Sequence, residues 1–264
     1  MKAKVKSKKA KRGAARKLMK HVALIVLAAA FLAACGSAPS ENINAPAKSP
    51  TPIPPSPERI EKATNVSFST YSKEWPVGWQ WIDPDEKYDP TPHDVKTGVL
   101  RVRLTSKKNL NGKLTNAPRY IKPISGDFQI ETRVKFNPKE NYQGAGLLIY
   151  QDEANYLRFE RAYGGPGGGA SGIRLDVNKK GIFEPLAAPG EIQTEAGEVE
   201  MKIVRVGMIF SAYWREDENA EWREAGRFES DYPETVLAGI TASNTARETM
   251  AEFGYIRLLP ADKK

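Results

Sequence analysis

The chain has few of the residues most used for metal binding and covalent catalysis. Among its 264 residues there are one cysteine, Cys35, and two histidines, His21 and His93. A disulfide within the chain, a Cys/His zinc site and a Cys-His dyad are therefore excluded. A Ser-His-Asp triad would have to use His93, which lies in a proline-rich loop without a nucleophile-elbow motif, so we expect no such triad.

The chain also lacks an apolar run of the roughly 20 residues that a membrane-spanning helix needs. An apolar run of thirteen residues, Val22–Ala34, is present near the start of the sequence. It follows a Lys/Arg-rich leader and is followed directly by Cys35. A short apolar run behind a cationic leader predicts a secretory signal peptide over residues 1–34. An ordinary Ala-x-Ala signal with a buried cysteine is the alternative interpretation of the same residues.

The end of the apolar run carries the sequence Leu32-Ala33-Ala34-Cys35. This sequence resembles the lipobox of bacterial lipoproteins. The resemblance implies cleavage before Cys35 and lipidation of the Cys35 thiol, including palmitate, so that the lipid holds the protein on a membrane. The expected location is the bacterial cell envelope, with the protein facing outside the cytoplasm.

The basic excess of the chain lies in the leader. Residues 1–34 hold ten of the 40 Lys and Arg and no Asp or Glu, which leaves 30 basic against 32 acidic residues in the remainder. A basic surface is the usual signature of nucleic-acid binding. Since that excess is removed with the leader, we expect no nucleic-acid partner.

A tether follows the leader. Residues 35–59 are rich in Pro, Ser, Ala and Asn and contain almost no large apolar residue. Such a segment cannot bury a core and is expected to be a disordered linker. Residues 60–264 remain, which is enough for one well-buried domain.

This domain shows the period-two alternation of half-buried strands. The pattern predicts a series of strands and one short helix over Asn244–Met250. The predicted strands are Val99–Leu104, Phe128–Phe136, Gly144–Tyr150, Tyr156–Ala162, Ile173–Val177, Val199–Val206, Met208–Trp214, Val236–Ala242 and Phe253–Leu259.

Turn sequences separate these strands, namely Asp152–Asn155, Asn178–Gly181 and Val206–Gly207. Many short strands without alternating helices predict an all-β sandwich or jelly roll.

Several segments resemble the concanavalin A-like lectin/glucanase superfamily, to which laminin G-like domains belong. The resemblance is nearest to the branch found as the C-terminal domain of β-xylosidases and in secreted bacterial proteins, and it covers Trp75–Leu259. It implies a concanavalin A-like jelly-roll β-sandwich with no catalytic role of its own. The segments that carry it are Gly126–Val134, Gly144–Asp152, Asn155–Phe159, Arg205–Gly207, Phe210–Trp214 and Trp222.

Two motifs invite a catalytic or nucleotide-binding interpretation. Residues Glu229–Glu234 spell the E-x-D-x-x-E of laminarinase-type glucanases, but Pro233 interrupts a strand there. An exposed acidic turn is therefore expected, and no catalytic residues are assigned. The glycine cluster over 164–172 contains G-x-G-x-x-G but precedes a strand, so a flexible loop beside a ligand groove is expected.

An acidic loop contains Asp83, Asp85 and Asp89, interspersed with prolines. Carboxylate oxygens are the ligands that Ca²⁺ prefers. These three residues are the candidate ligands of a structural calcium ion, and no other cofactor is expected. Ordinary Asp-Pro turns explain the same composition.

Aromatic residues are the remaining lead toward a ligand. Trp79 and Trp81 are two residues apart, so an extended strand would present both on one face, where indoles could stack on sugar rings. Two core tryptophans are the alternative. Candidates for a concave groove are Tyr156, Arg158, Glu160 and Arg205.

The sequence thus predicts a lipid-anchored envelope protein with a non-catalytic carbohydrate-binding or surface-interaction module. Its expected partners are the membrane, through the N-terminal lipid, and a polysaccharide or cell-wall glycan. The alternatives are a laminarinase-type glycoside hydrolase and a structural envelope protein that binds another protein.

Overall fold

The computed structural model describes residues 56–66, 68, 75–111, 114–165 and 169–261. The predicted signal peptide, Cys35 and most of the predicted tether lie outside these residues. Over the described ranges the chain forms strands, and no helix there is long and apolar enough to cross a membrane. The strands are β1 Glu58–Arg59, β2 Thr64–Val66, β3 Gln80–Ile82, β4 His93–Lys96, β5 Val99–Leu104, β6 Leu110–Asn111, β7 Leu114–Thr115, β8 Arg119–Ser125, β9 Phe128–Lys135, β10 Gln143–Asp152, β11 Asn155–Tyr163, β12 Ser171–Lys179, β13 Ile182–Ala187, β14 Glu198–Val206, β15 Ile209–Arg215, β16 Arg223–Glu229, β17 Thr235–Ser243 and β18 Thr249–Leu259.

Two eight-stranded sheets form the domain. The first sheet has the strand order β1-β8-β17-β10-β11-β12-β13, and β3 also pairs with β8. The second has the order β16-β15-β14-β9-β18-β5-β4, and β2 also pairs with β18. Strands far apart in sequence, such as β8 and β17, lie side by side and antiparallel. This is the arrangement of a jelly-roll β-sandwich, as the strand pattern predicts.

Alternation along the strands produces the core between the sheets. In β5, Leu100, Val102 and Leu104 are buried, whereas Arg103 is exposed. A fully buried side chain of this size stabilises the fold by about 1.5–3 kcal/mol relative to the exposed state. Other large residues of the same core cluster are Phe128, Ile130, Val134, Leu147, Ile149, Phe159, Leu175, Ile203, Phe210 and Phe253.

The first sheet is buried on both of its faces, whereas the alternation in the sequence predicts strands with one buried and one exposed face. Each of β10, β11 and β12 has seven consecutive buried residues. A second apolar cluster covers part of this face, and the β6–β7 hairpin contributes Leu110 to it. Its other buried members are Ala117, Ile121, Leu148 and Tyr156.

The predicted helix over Asn244–Met250 is wrong. Asn244 forms a bridge with Lys108, and Met250 already belongs to β18. The Asn244 side chain donates hydrogen bonds to the backbone carbonyls of Leu104, Thr105 and Arg247. A short polar side chain that bonds to nearby backbone competes with helix formation, which explains the error.

The predicted turns are confirmed, but some strands are not predicted by the sequence pattern. The turns at 152–155, 178–181 and 206–207 connect antiparallel neighbours as predicted. Among the longer strands, β8, β13 and β16 are not predicted. In β16, Arg223, Glu224 and Arg227 are exposed, so the alternation there is weak.

Candidate functional site

Two neighbouring strands of the first sheet carry four charged side chains on one face. β11 contributes Arg158 and Glu160, and β12 contributes Arg174 and Asp176. These residues alternate with core residues such as Phe159, so the strand period directs all four away from the core. The register places Arg158 opposite Asp176 and Glu160 opposite Arg174. Opposite charges therefore face each other across the two strands.

These four residues, here called the arginine–carboxylate cluster, form a connected ion-pair network. Arg158 Nη2 lies 2.8 Å from Asp176 Oδ2, and Arg174 Nη2 lies 2.6 Å from Glu160 Oε2. Arg174 Nε also lies 3.2 Å from Asp176 Oδ2, which links the two pairs. The four side chains are at most 5% exposed. Removing any one of them would leave a buried charge without its partner.

Burial and ion pairing act in opposite directions on the two carboxyls. Burial tends to raise the pKa of Glu160, but the charges of Arg174 and Arg158 and the hydrogen bonds from Arg174 and Ser243 lower it below its ordinary value. At Asp176, burial outweighs the same two arginines and raises the pKa. Glu160 is therefore held ionised, while Asp176 takes up a proton more readily.

A glycine makes room for the cluster. A Cβ atom on Gly144 would lie 2.5 Å from Arg174 Nη2 and 2.6 Å from Glu160 Oε2. Contacts that short do not occur, so a side chain at this position would displace the ion pair. The glycine-rich strand β10 thus contributes to the site through the side chain that Gly144 lacks.

A cavity of about 340 Å³ opens over the cluster. This volume lies at the lower end of the roughly 300–1,000 Å³ of small-molecule pockets. Arg158, Arg174 and Asp176 line it, while Glu160 does not. The other lining residues are Asn109, Asn111, Tyr142, Gly165, Phe183 and Thr245.

The lining combines aromatic and hydrogen-bonding groups. Tyr142 is 39% exposed and has a φ of 69°, a left-handed conformation that costs energy for a residue with a side chain. Phe183 supplies a second aromatic ring, and Asn109 and Asn111 supply amides. Arg158 and Arg174 supply guanidinium groups. The cavity therefore offers polar donors and ring faces to a small polar ligand.

The four residues predicted to bind carbohydrate lie in different places. Arg158 lines the cavity, as just described. Tyr156 is fully buried in the second apolar cluster, and its hydroxyl donates to the Leu110 carbonyl at 3.0 Å. Trp79 is 5% exposed and stacks on Tyr120 with ring centroids 4.8 Å apart. Trp79 and Tyr156 thus have no free ring face, because both are packed inside the protein.

Trp81 lies partly buried against the core. Its ring stacks on His93 with centroids 4.0 Å apart and on Trp75 with centroids 6.2 Å apart. None of these three rings lines the cavity over the arginine–carboxylate cluster. Of the two interpretations of the tryptophan pair, core packing is the one that these contacts favour.

The acidic loop is organised around a lysine. The ammonium of Lys108 is fully buried and lies 3.5 Å from Asp83, 3.6 Å from Asp85 and 3.7 Å from Asp89. It also donates a hydrogen bond to the Asp89 carbonyl. Within the described residues, no group of three or more His, Cys, Asp or Glu could hold a metal ion. The three carboxylates therefore do not fit the predicted calcium site, because an ammonium already lies among them.

The segment Glu229–Glu234 has the exposed character that Pro233 predicts. Glu229 ends β16, and Asp231 and Glu234 follow in the connection to β17. All three acidic residues are exposed, Asp231 lies near Lys179, and Glu234 pairs with Arg59. Their side chains do not line the cavity over the arginine–carboxylate cluster.

The glycine-rich loop borders the cavity through one residue. Gly165 has a φ of 147°, which only glycine adopts readily, and it lines the cavity. Residues 166–168 lie outside the described residues. Arg205, a further groove candidate, instead donates to the carbonyls of Pro233 and Glu234.

Sequence reasoning missed Arg174, Asp176, Asn109, Asn111 and Tyr142. A signal for the first two was present, because Arg174 and Asp176 alternate with Ile173, Leu175 and Val177 as Arg158 and Glu160 do with their apolar neighbours. Charged residues on one face of two adjacent strands with apolar residues on the other indicate a shared polar site. The loop residues carried no comparable pattern.

A family model described as "Protein of unknown function (DUF1349)" matches residues 105–178. That range contains all four residues of the arginine–carboxylate cluster. No curated protein matches the sequence.

Solved structures share the fold at low sequence identity. The GH43 BlXynB protein from Bacillus licheniformis is 18% identical, with a TM-score of 0.59 over 74% of this chain and 39% of that protein. A xylan β-1,4-xylosidase from Bacillus halodurans C-125 is 18% identical, with a TM-score of 0.55 over 81% and 41%. A functionally unknown protein from Saccharomyces cerevisiae is 12% identical, with a TM-score of 0.52 over 69% and 93%.

The chain spans about two fifths of the length of the two bacterial proteins. At these identities the likeness establishes the fold and nothing further. The residues that the structure describes form a jelly-roll β-sandwich, with a polar cavity on the outer face of its first sheet.

Proposed function

We propose that this domain is a non-catalytic carbohydrate-binding module whose site is the cavity over the arginine–carboxylate cluster. The observation that carries the proposal is a cavity lined both by ion-paired residues of the arginine–carboxylate cluster and by two aromatic side chains, Tyr142 and Phe183. Sugars present hydroxyl groups around a ring and apolar C–H faces above and below it. Guanidinium, carboxylate and amide groups complement the hydroxyls, and Tyr142 and Phe183 complement the apolar faces.

The state of the carboxylates favours binding over hydrolysis. Glycoside hydrolases typically place two carboxyl groups on either side of the scissile bond, about 5–10 Å apart. Glu160 is fully buried, is held by Arg174 and does not line the cavity. Asp176 lines the cavity but is shared by two arginines. One carboxyl in the cavity lining supports recognition of a sugar better than cleavage.

The structural neighbours support a carbohydrate as the ligand. Two of them are a GH43 protein and a xylan β-1,4-xylosidase. Because the chain spans about two fifths of those proteins, we infer an accessory role rather than the activity of the whole enzymes. A polysaccharide or a cell-wall glycan is the proposed partner.

We also propose that the module is held at the cell envelope by lipid on Cys35, outside the cytoplasm. Support comes from the Leu-Ala-Ala-Cys sequence behind thirteen apolar residues. Mass spectrometry of the mature protein is expected to find a diacylated N-terminus, which Cys35→Ser removes. An acyl-free N-terminus in the unsubstituted protein would contradict this proposal.

The binding proposal is tested by truncating the cavity wall. Tyr142→Ala and Phe183→Ala are each expected to weaken glycan binding by about 1–3 kcal/mol, as for a central aromatic contact. Tyr88→Ala is the matched control, since Tyr88 is 82% exposed and does not line the cavity.

The measurement is a glycan array followed by calorimetry on the glycans that bind, with melting temperatures recorded for every variant. Unchanged affinity in both wall variants would reject the cavity as the site. Release of reducing sugar from a bound glycan, abolished by Asp176→Asn, would instead favour the hydrolase.

A further inference from the structure

A second cavity adjoins the first. It has a volume of about 610 Å³, and Thr245 lines both cavities. Its wider opening distinguishes it from the pocket over the arginine–carboxylate cluster. Lys107, Glu140, Arg247 and Glu248 contribute its charged groups.

The same three chain segments run from one cavity to the other. The segment 105–111 lines the second cavity with Lys107 and the first with Asn109. The loop before β10 does so with Glu140 and Tyr142, and the β17–β18 connection does so with Arg247 and Thr245. The two cavities are therefore successive parts of one groove with common walls.

Buried amides hold these walls in place. Asn244 is fully buried, and its backbone N–H donates to the Lys108 carbonyl at 2.7 Å. The Gln143 side chain donates to Asn244 Oδ1 at 3.1 Å and accepts from the Glu140 N–H. Thr245 Oγ1 donates to the Asn141 carbonyl at 2.7 Å. Since all three segments are tied together, a ligand would not have to order them on binding.

The second cavity is lined by groups that bind polar ligands. Arg247 donates to Glu140 at 2.8 Å, but its side chain is 91% exposed and can reach a ligand. Lys107 has a φ of 68°, a costly conformation for a residue with a side chain. No acidic group lies within ion-pair distance of Lys107 in the part of the chain that the structure describes. The ammonium is thus available to sugar oxygens.

We propose that the second cavity is a second saccharide subsite, so that the module binds along a glycan chain of at least two sugar units. This inference rests on the proposed function, because it requires the first cavity to hold a sugar. A site for a single sugar would end at Thr245, the residue that both cavities share. Because all three chain segments continue past Thr245 to line the second cavity, a chain of sugars is favoured as the ligand.

The experiment measures affinity against chain length. Calorimetry uses xylose and its β-1,4-linked dimer and tetramer, with the matching glucose series in β-1,4 and β-1,3 linkage. In a series that binds, we expect affinity to rise by about tenfold or more from monomer to tetramer, which corresponds to about 1.4 kcal/mol. The variant with both Lys107→Ala and Arg247→Ala is expected to lose most of that gain while keeping the affinity for the monomer.

Lys96→Ala is the matched control, since Lys96 is exposed on β4 of the second sheet. Equal affinity for monomer and tetramer would overturn the second subsite and leave the proposed function intact. A length-dependent gain that survives the double substitution would also overturn it. Absence of binding to every member of the three series would contradict the proposed function itself.

Discussion

Two buried charge clusters in this domain are built from similar groups in different proportions. Around Lys108 one ammonium meets three carboxylates, and two of these, Asp85 and Asp89, are 35% and 53% exposed. The arginine–carboxylate cluster has two cations and two anions, all at most 5% exposed. The first cluster reaches solvent through its carboxylates, whereas the second lies at the floor of a cavity.

The difference separates a structural clamp from a recognition surface. Lys108 ties the acidic loop to the segment before β6, and Asp83 also accepts the Thr91 N–H at 2.5 Å. These contacts hold the acidic loop in shape and join it to the neighbouring segment. In the arginine–carboxylate cluster the charges balance, and Arg158, Arg174 and Asp176 line a cavity. Balanced charge held rigidly beside a cavity is suited to a ligand.

The largest expected effect comes from breaking the balanced cluster. Arg174→Met removes the cation that holds Glu160 and should lower the free energy of unfolding by about 3–5 kcal/mol, since a buried carboxylate is left uncompensated. Urea denaturation at neutral pH measures the loss. Arg103→Met, at an exposed arginine of β5, is the control and should change stability little. A loss below about 1 kcal/mol for Arg174→Met would show that the cluster is not rigid.

Removing Lys108 should cost less. Lys108→Ala leaves three carboxylates, but two of them can turn toward water, so we expect a loss of about 1–3 kcal/mol. The substitution also opens space for a cation, and Ca²⁺ should then raise the melting temperature of the variant more than that of the unsubstituted protein. An equal rise in both proteins would instead indicate a calcium site that coexists with Lys108.

The pH dependence of stability should have opposite signs at the two buried carboxyls. Glu160 has a lowered pKa, so its stabilisation is present above the unfolded value near 4.3 and is lost as pH falls through the folded pKa. Asp176 has a raised pKa, so its contribution is lost as pH rises from about 3.9 through the folded pKa.

Urea denaturation across this acidic range compares Glu160→Gln and Asp176→Asn with the unsubstituted protein. The first variant should lose less stability than the unsubstituted protein as pH falls. The second should lose less as pH rises. Slopes that both variants share with the unsubstituted protein would show that neither carboxyl titrates as its surroundings indicate.

The smallest effect is expected far from both clusters. Glu229→Gln and Glu234→Gln should change stability by no more than about half a kcal/mol, because both side chains are exposed. Glycan affinity should also stay unchanged, since neither residue lines the groove. Loss of a glucan-hydrolysing activity in either variant would support the laminarinase alternative.

Much of the fold could be predicted from local pattern. The alternation in β5, β9 and β14 places their apolar residues in the core. The hairpin turns that join β10 to β11, β12 to β13 and β14 to β15 follow from the residues of the turns themselves. The candidate site could be predicted only in part. Arg158 carries a visible signal as a charge in an apolar strand, but Tyr142 and Asn109 lie in loops whose approach to β11 depends on the rest of the fold.

The sequence by itself determined most of the long strands, the three turns and the lack of a second cysteine for a disulfide within the chain, because each depends on residue type or on neighbours a few positions away. Tertiary structure decided which face of the first sheet is covered, where the tryptophans pack and which cation meets the acidic loop. Lys108 and Asp83 are 25 residues apart, and Gln143 and Asn244 are 101 apart. Contacts at such separations follow from how strands pair across two sheets, which no local period records.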